Sequence, residues 1–304
     1  MTAAQTIVPA APNLPIAPVN YAQQYQDQFS NVLRLYFNQL SNALGANVAS
    51  STTVNVNNEG TIALPTYMQV ARGLATGASE VNIYGYQSAL PNSSGATYYP
   101  VWENTTQYTY PVSAATMLLW SSSASDTNVS VLINGLDASY NMISETLVLT
   151  NGTTGVTTTK SYLRINGLQV TGSVNAVGII NIGNAGKTIQ YGEIAIGTGK
   201  SQAMIYTVPN GYTFYLTRST AYTSLDGNTA GNYANYRVWT QSSTGLIQVL
   251  LQAPFAVKYE TVRVAPRGYA AKTDIQWQIA GNPSSGTSAI GVGVEGILIA
   301  NTAL

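Results

Sequence analysis

The chain contains no cysteine and no histidine. The first absence excludes disulfides, thiolate metal sites and cysteine nucleophiles. The second removes the commonest general base, the usual metal ligand and the third member of most serine triads. Charge is nearly as scarce: Asp, Glu, Lys and Arg make up 8% of the 304 residues, where about 25% is usual. Twelve bases balance twelve acids, for a formal net charge of +0. Such a chain has no long-range field to steer it onto nucleic acid or an anionic membrane. It also lacks the charge that keeps proteins apart, which suits a subunit held in an assembly. In seawater-like salt, where the Debye length falls to roughly 4 Å, a charge-poor surface loses little. No apolar run reaches the roughly 20 residues that span a bilayer. There is no basic n-region, and Pro9 and Pro12 interrupt the N-terminal apolar stretch, so the expectation is synthesis in the cytoplasm without a signal peptide and no membrane insertion.

What is present divides the chain into four parts. Residues 1-19 read as a Pro-rich extended arm. Pro9, Pro12, Pro15 and Pro18 recur at every third position, the period of polyproline II, which would place them along one edge. Residues 20-45 read as one amphipathic helix. Asn20 is a suitable N-cap with Gln23 in the capping-box position, and Gly45 stands where a C′ residue belongs. Tyr21, Tyr25, Phe29, Val32, Leu33, Tyr36, Phe37, Leu40 and Leu44 recur at spacings of three and four. At 1.5 Å per residue the helix would run for about 37 Å. The arm and helix carry apolar edges on elements too thin to bury them. Pro9, Pro12, Pro15, Pro18, Tyr25, Phe29, Leu33, Tyr36, Phe37 and Leu40 are therefore the candidate assembly and anchoring residues.

From about residue 50 the text changes to short alternating runs between Gly, Asn, Asp and Pro turns, the pattern of antiparallel sandwiches. Residues 46-186 are expected to form a β-rich middle domain, with strands near 116–120, 129–133, 145–149 and 156–159. Gly183-Asn184-Ala185-Gly186 marks the expected boundary, after which residues 187-304 form a C-terminal β-sandwich. About seven or eight strands in roughly 115 residues is the size of one jelly roll. The clearest of them is Asp274-Ile275-Gln276-Trp277-Gln278-Ile279, with Ile275, Trp277 and Ile279 on one face and the glutamines on the other. Trp277 is expected to anchor the core, because a register slip would exchange the two faces. The expected fold is mainly β: an extended arm and a single long helix, then antiparallel jelly-roll-like β-sandwich domains.

Catalytic constellations are weak. Asp137 and Glu145 stand eight apart around a turn, the one pair to weigh against glycosidase chemistry, but twelve acids yield such pairs by chance. Lys200-Ser201 is adjacent and does not place an amine behind a hydroxyl. Asp126-Thr127-Asn128 opens like a calcium loop without the further acids, and reads as a polar turn. Asn92, Asn104, Asn128 and Asn151 begin Asn-x-Ser/Thr triplets, which mean little without a secretory signal. No cofactor or metal is expected. The chemical oddity is 21 tyrosines against four phenylalanines. Tyr98, Tyr99, Tyr108, Tyr110, Tyr212, Tyr215, Tyr222, Tyr233 and Tyr236 are candidates for glycan contact or for packing between subunits; their regular strand positions favour packing.

Two stretches carry a resemblance: residues 13–21 (NLPIAPVNY) running into 31–40 (NVLRLYFNQL), and residues 135–149 (GLDASYNMISETLVL) with 157–164 (TTTKSYLR). Residues 208–218 (VPNGYTFYLTR) form a third block. These resemble structural proteins of the virions of marine tailed bacteriophages such as cyanophages, of fibre, knob or capsid decoration type. The resemblance implies a non-enzymatic virion component with no catalytic residues to carry over. The arm and helix would anchor it in a homo-oligomer, with a trimer as the first guess, among other virion proteins. The alternative reading is a carbohydrate-binding adhesin or receptor-binding module whose partner is a host-surface glycan.

Overall fold

The computed structural model describes residues 28–39 and 65–302. The chain divides into two compact units, Met1–Leu64 and Pro65–Leu304. In the first, helix α1 spans residues 28–39. Phe29, Val32, Leu33 and Tyr36 are half-buried, whereas Leu35 and Phe37 are exposed, and the rings of Tyr36 and Phe37 meet edge to face at 5.7 Å. Pro9, Pro12, Pro15, Pro18, Tyr25 and Leu40, with both ends of the expected helix, lie outside the described residues.

The second unit opens on a short helix, α2 (Thr66–Ala71), and is otherwise antiparallel β. Its larger core lies between two sheets. One has the order β1 (Ala78–Pro91), β16 (Thr287–Ala300), β11 (Tyr212–Thr223), β14 (Lys258–Tyr269). The other has the order β10 (Ile205–Thr207), β15 (Asp274–Gly281), β12 (Ala234–Gln241), β13 (Ile247–Phe255), with the two-residue β2 (Tyr99–Pro100) also on β15. Phe214, Leu216, Ile290 and Val292 from the first sheet meet Tyr236, Val238, Ile275, Trp277 and Ile279 from the second, all fully buried. Two four-strand sheets in this connectivity make a jelly roll.

One strand of that jelly roll is split. β2 pairs with Gln278 and Ile279 of β15, and β10 continues along the same edge opposite Gln276, Ile275 and Asp274. Between them Val101 N donates to Trp277 O (3.2 Å), Trp277 N donates to Met204 O (3.1 Å), and Met204 N donates to Val101 O (2.7 Å). The chain thus leaves the ladder at Val101 and returns at Met204, and everything between is an insertion. Gly85 of β1 packs on this crossing: a Cβ there would lie 2.8 Å from the Val101 carbonyl oxygen, so any larger residue would force the two ends apart.

The insertion holds a second, smaller sandwich. One sheet is β6 (Val156–Thr157), β3 (Leu118–Ser121), β8 (Ile180–Gly183), β9 (Gln190–Ile194); the other is β5 (Met142–Leu149), β4 (Val129–Leu136), β7 (Arg164–Thr171). Leu119, Val131, Ile133, Leu149, Leu168, Ile180 and Ile182 fill the space between them. The alternation of β4, with Val129, Val131 and Ile133 buried, is the two-residue period of a strand with one face inward.

These pairings redraw the domains expected at 46-186 and 187-304. Residues 78–101 belong with the C-terminal jelly roll because β1 pairs along most of its length with β16. Residue 187 falls inside the β8–β9 hairpin of the small sandwich. The Gly183–Gly186 stretch is that hairpin's turn: the Asn184 side-chain oxygen accepts from Thr188 N (2.9 Å) and Ile189 N (3.1 Å), and Lys187 takes a left-handed φ of 57°. Trp277 is fully buried, as its alternation implies. The glutamines do not reach solvent, however. Gln276 and Gln278 are buried as well, because the outer face of β15 is covered by residues 98–111 and by the insertion.

Candidate functional site

The two sandwiches meet at a polar joint. Arg164, at the start of β7, is buried and forms two parallel 2.8 Å hydrogen bonds with Asp274, at the start of β15, Nε to Oδ1 and Nη2 to Oδ2. Its Nη1 donates to the carbonyls of Pro111 (3.0 Å) and Leu163 (2.8 Å), and its Cζ lies 4.6 Å from the centre of the Tyr110 ring. Thr207 Oγ1 donates 2.6 Å to Asp274 Oδ1. A buried ion pair is costly unless further hydrogen bonds support it, and here Pro111 O and Leu163 O answer Nη1 while Thr207 Oγ1 answers Oδ1. Beside it the Asn166 side chain imitates a strand: Nδ2 donates to Thr207 O (2.9 Å) while Oδ1 accepts from Thr207 N (3.0 Å).

Glu103, just after the chain leaves the jelly roll, faces the returning segment. Its Oε1 accepts from Gln202 N, and its Oε2 is buried without a partner. Burial pushes this carboxyl from its ordinary 4.5 up to about 8, against the opposing pull of the Gln202 N–H, and nearby Glu193 adds to the rise. Tyr108 and Tyr110 pack in the same joint, Tyr108 edge-on to Trp102 at 5.3 Å, with its hydroxyl donating to Tyr191 O (3.1 Å). Burial raises both hydroxyls above the ordinary range.

Next to the joint is a cleft of about 850 Å³. Its floor is the outer face of the β1–β16–β11 sheet, and its wall is Asn166 and Gly167 of β7 with Thr198, Lys200, Ser201 and Gln202 of the returning segment. The register sets this sheet face row by row, and the cleft takes Tyr84, Thr220, Tyr222 and Gly293 from it. Tyr84 and Thr220 flank Gly293, and Tyr86 and Tyr222 flank Gly291. In the next row Asn82 and Arg218 flank Glu295. The tyrosine at 84 lies over the glycines: a Cβ on Gly291 would be 3.4 Å from its hydroxyl, and one on Gly293 would be 3.9 Å from its ring. Tyr84, Tyr86 and Tyr222 nevertheless keep 52%, 41% and 46% of their surface exposed. Arg218 is neutralised by Glu260 (Nη2 to Oε1, 2.7 Å) and Glu295 (Nη1 to Oε1, 3.1 Å).

The acid pair weighed from sequence is structural. Asp137 Oδ1 accepts from Ser139 N (2.8 Å) and Asn141 N (2.9 Å), closing its own turn. Glu145 accepts from Thr159 N, Thr159 Oγ1 and Lys160 N, tying β5 to the segment after β6. Asp126 is buried and accepts from Val177 N (2.8 Å), Gly178 N (3.0 Å) and Ser121 Oγ, the work of a turn anchor. Among the described residues no group of three or more acids could hold a metal ion.

The candidate tyrosines separate by environment. Tyr236 is in the core, hydrogen-bonded to Ser219, and Tyr108 and Tyr110 are in the joint. Tyr98 stacks on the Arg237 guanidinium at 3.9 Å. Tyr222 stands in the cleft. Tyr84 and Tyr86 were not among the tyrosines expected at a site; they alternate with Asn82 along β1, and only the pairing of β1 with β16 sets them beside Gly291 and Gly293.

No family model and no curated protein matches the chain. Among solved structures, that of the Gx strain of infectious bursal disease virus is 10% identical over 73% of this chain and 71% of its own, with a TM-score of 0.20. A mutant VP2 protein of the same virus is 8% identical over 79% of this chain and 85% of its own, with a TM-score of 0.14. Likeness this slight carries no argument.

Proposed function

We propose that the chain is a non-enzymatic structural protein of a virion, in which the jelly roll is the scaffold and the inserted sandwich is the part held out from it. The observation that carries this reading is the split strand. Val101 and Met204 are hydrogen-bonded neighbours, so the scaffold closes without the insertion, and a second sandwich is mounted on it through a buried ion pair. That is an architecture for display, and it spends its charged and polar groups on joints and turns. The carboxylates of Asp126, Asp137, Glu145 and Asp274 are all engaged by backbone or side-chain donors. The sequence resemblance to marine tailed-phage virion proteins supports the same assignment and points to a fibre, knob or decoration role.

In this reading residues 1–45 attach the protein to its neighbours, through the arm prolines and the apolar face of α1, in a homo-oligomer of three. The test is a deletion of residues 1–45. The truncated chain should keep its β circular dichroism signal and melt cooperatively, yet fail to join particles when co-expressed with the remaining structural proteins. Normal incorporation of the truncated chain would refute the anchoring role.

A further inference from the structure

We propose that the cleft between the sandwiches binds a neutral oligosaccharide, a property that goes beyond the structural role and does not depend on it. Three observations converge. The first is the platform. Tyr84 lies over Gly291 and Gly293, where no side chain lies beneath it, and Tyr222 stands on the opposite side of the same glycine strand. An aromatic face carries negative quadrupole density that attracts the polarised C–H groups of a pyranose. A Cβ on Gly293 would sit 3.0 Å from Thr220 Oγ1, so a side chain there would crowd the floor.

The second observation is the rim. Glu80, Asn82, Ser201 and Gln202 place both donors and acceptors around the platform, and Asn82 Nδ2 already orients the Glu80 carboxylate by a 2.7 Å bond to its Oε1. Sugar hydroxyls, each donor and acceptor at once, match such a mixed rim. The third is charge. The lining holds two acids, Glu80 and Glu295, and two bases, Arg218 and Lys200, and Arg218 is held by carboxylates. The site therefore offers no net field for an anionic ligand, which selects a neutral glycan over a sialylated or uronic one. A volume of about 850 Å³ falls within the roughly 300–1,000 Å³ range of ligand sites. A protein partner would want apolar pockets for its anchoring side chains, whereas this lining sets polar and charged side chains around its tyrosines.

The test is isothermal titration calorimetry of the full chain with neutral hexasaccharides (malto-, laminari-, manno- and chito-series) and with two acidic probes, sialyllactose and a hexamer of galacturonic acid. At least one neutral series should bind. Tyr84→Ala and Tyr222→Ala should each weaken it about tenfold, equivalent to about 1.4 kcal/mol, with melting temperatures close to the parent. Tyr84→Phe, which keeps the ring, should bind within a few-fold of the parent and guards against a folding artefact. Tyr67→Ala, an exposed tyrosine outside the cleft, should change nothing. The proposal is overturned if no neutral probe binds, if only the acidic probes bind, or if binding survives loss of both Tyr84 and Tyr222. None of these outcomes bears on particle incorporation, so the structural role stands or falls separately.

Discussion

Trp277 is the largest side chain of the jelly-roll core after full burial is required, and it sits at the point where the insertion leaves and returns. Its ring packs between the sheets while its Nε1 finds no partner, a polar atom left dry by the packing around it. Trp277→Ala should lower stability by about 3–5 kcal/mol, from lost transfer energy and the cavity left behind. Thermal melting checks this: a drop of several degrees is expected, and a parent-like midpoint would remove Trp277 from the core account. Glu103 makes a different kind of prediction. Its carboxyl is raised by burial to about 8, so the folded state holds a proton that the unfolded chain releases near 4.5. The associated stability is fully present below about pH 4.5 and is lost as pH rises through about 8. Glu103→Gln keeps an acceptor for Gln202 N and has nothing to ionise. The parent's melting point should fall between about pH 5 and about pH 9 more steeply than the variant's. Equal slopes would mean that the Glu103 site is open to water.

At the scale of elements, the joint between sandwiches is the place where a single change has the largest leverage. Arg164→Met leaves the Asp274 carboxylate buried with only Thr207 to answer it, and should cost about 3–5 kcal/mol; the double variant Arg164→Met with Asp274→Leu should recover most of the loss. A double variant as unstable as the single one would show that lost packing, and not an orphaned charge, sets the cost. Excision of residues 102–203, joining Val101 to Met204 through two glycines, should leave a chain that still folds cooperatively when Asp274 is also replaced by Asn. Non-cooperative melting would show that the jelly roll depends on its insertion.

Much of the β architecture was legible because its signals are local. Pro209-Asn210-Gly211 announces the turn before β11, and the alternation of 274–279 announces β15. β1 was not legible as a partner of β16, because nothing in residues 78–91 says that they pair with residues more than 190 positions away. The insertion was hidden for the same reason: β2 is two residues long and means nothing until β10 is laid beside it on β15. Glycine-rich text at 183–186 serves equally as linker or hairpin turn, and only the β8–β9 pairing decides. The cleft shared that fate. Tyr84 and Tyr86 stand far along the chain from Gly291 and Gly293 and join them only through register, which is also why they escaped notice while buried Tyr236 did not.

For the whole molecule, the balance of 12 acids and 12 bases leaves no repulsion to keep copies apart, and α1 exposes Leu35 and Phe37 at 61% and 57%. The full chain should therefore run in light scattering at a multiple of its 32.1 kDa mass, with three copies expected, while the chain lacking residues 1–45 runs as a monomer. The central claim is that this protein is built into a virus particle. The measurement that reaches it most directly is quantitative mass spectrometry of gradient-purified virions from the source of the gene, with copy number referred to the major capsid protein. The account predicts the chain in every preparation, at a fixed stoichiometry set by a symmetric ring or set of vertices and resistant to high salt. Its presence in infected cells together with its absence from purified virions would contradict it.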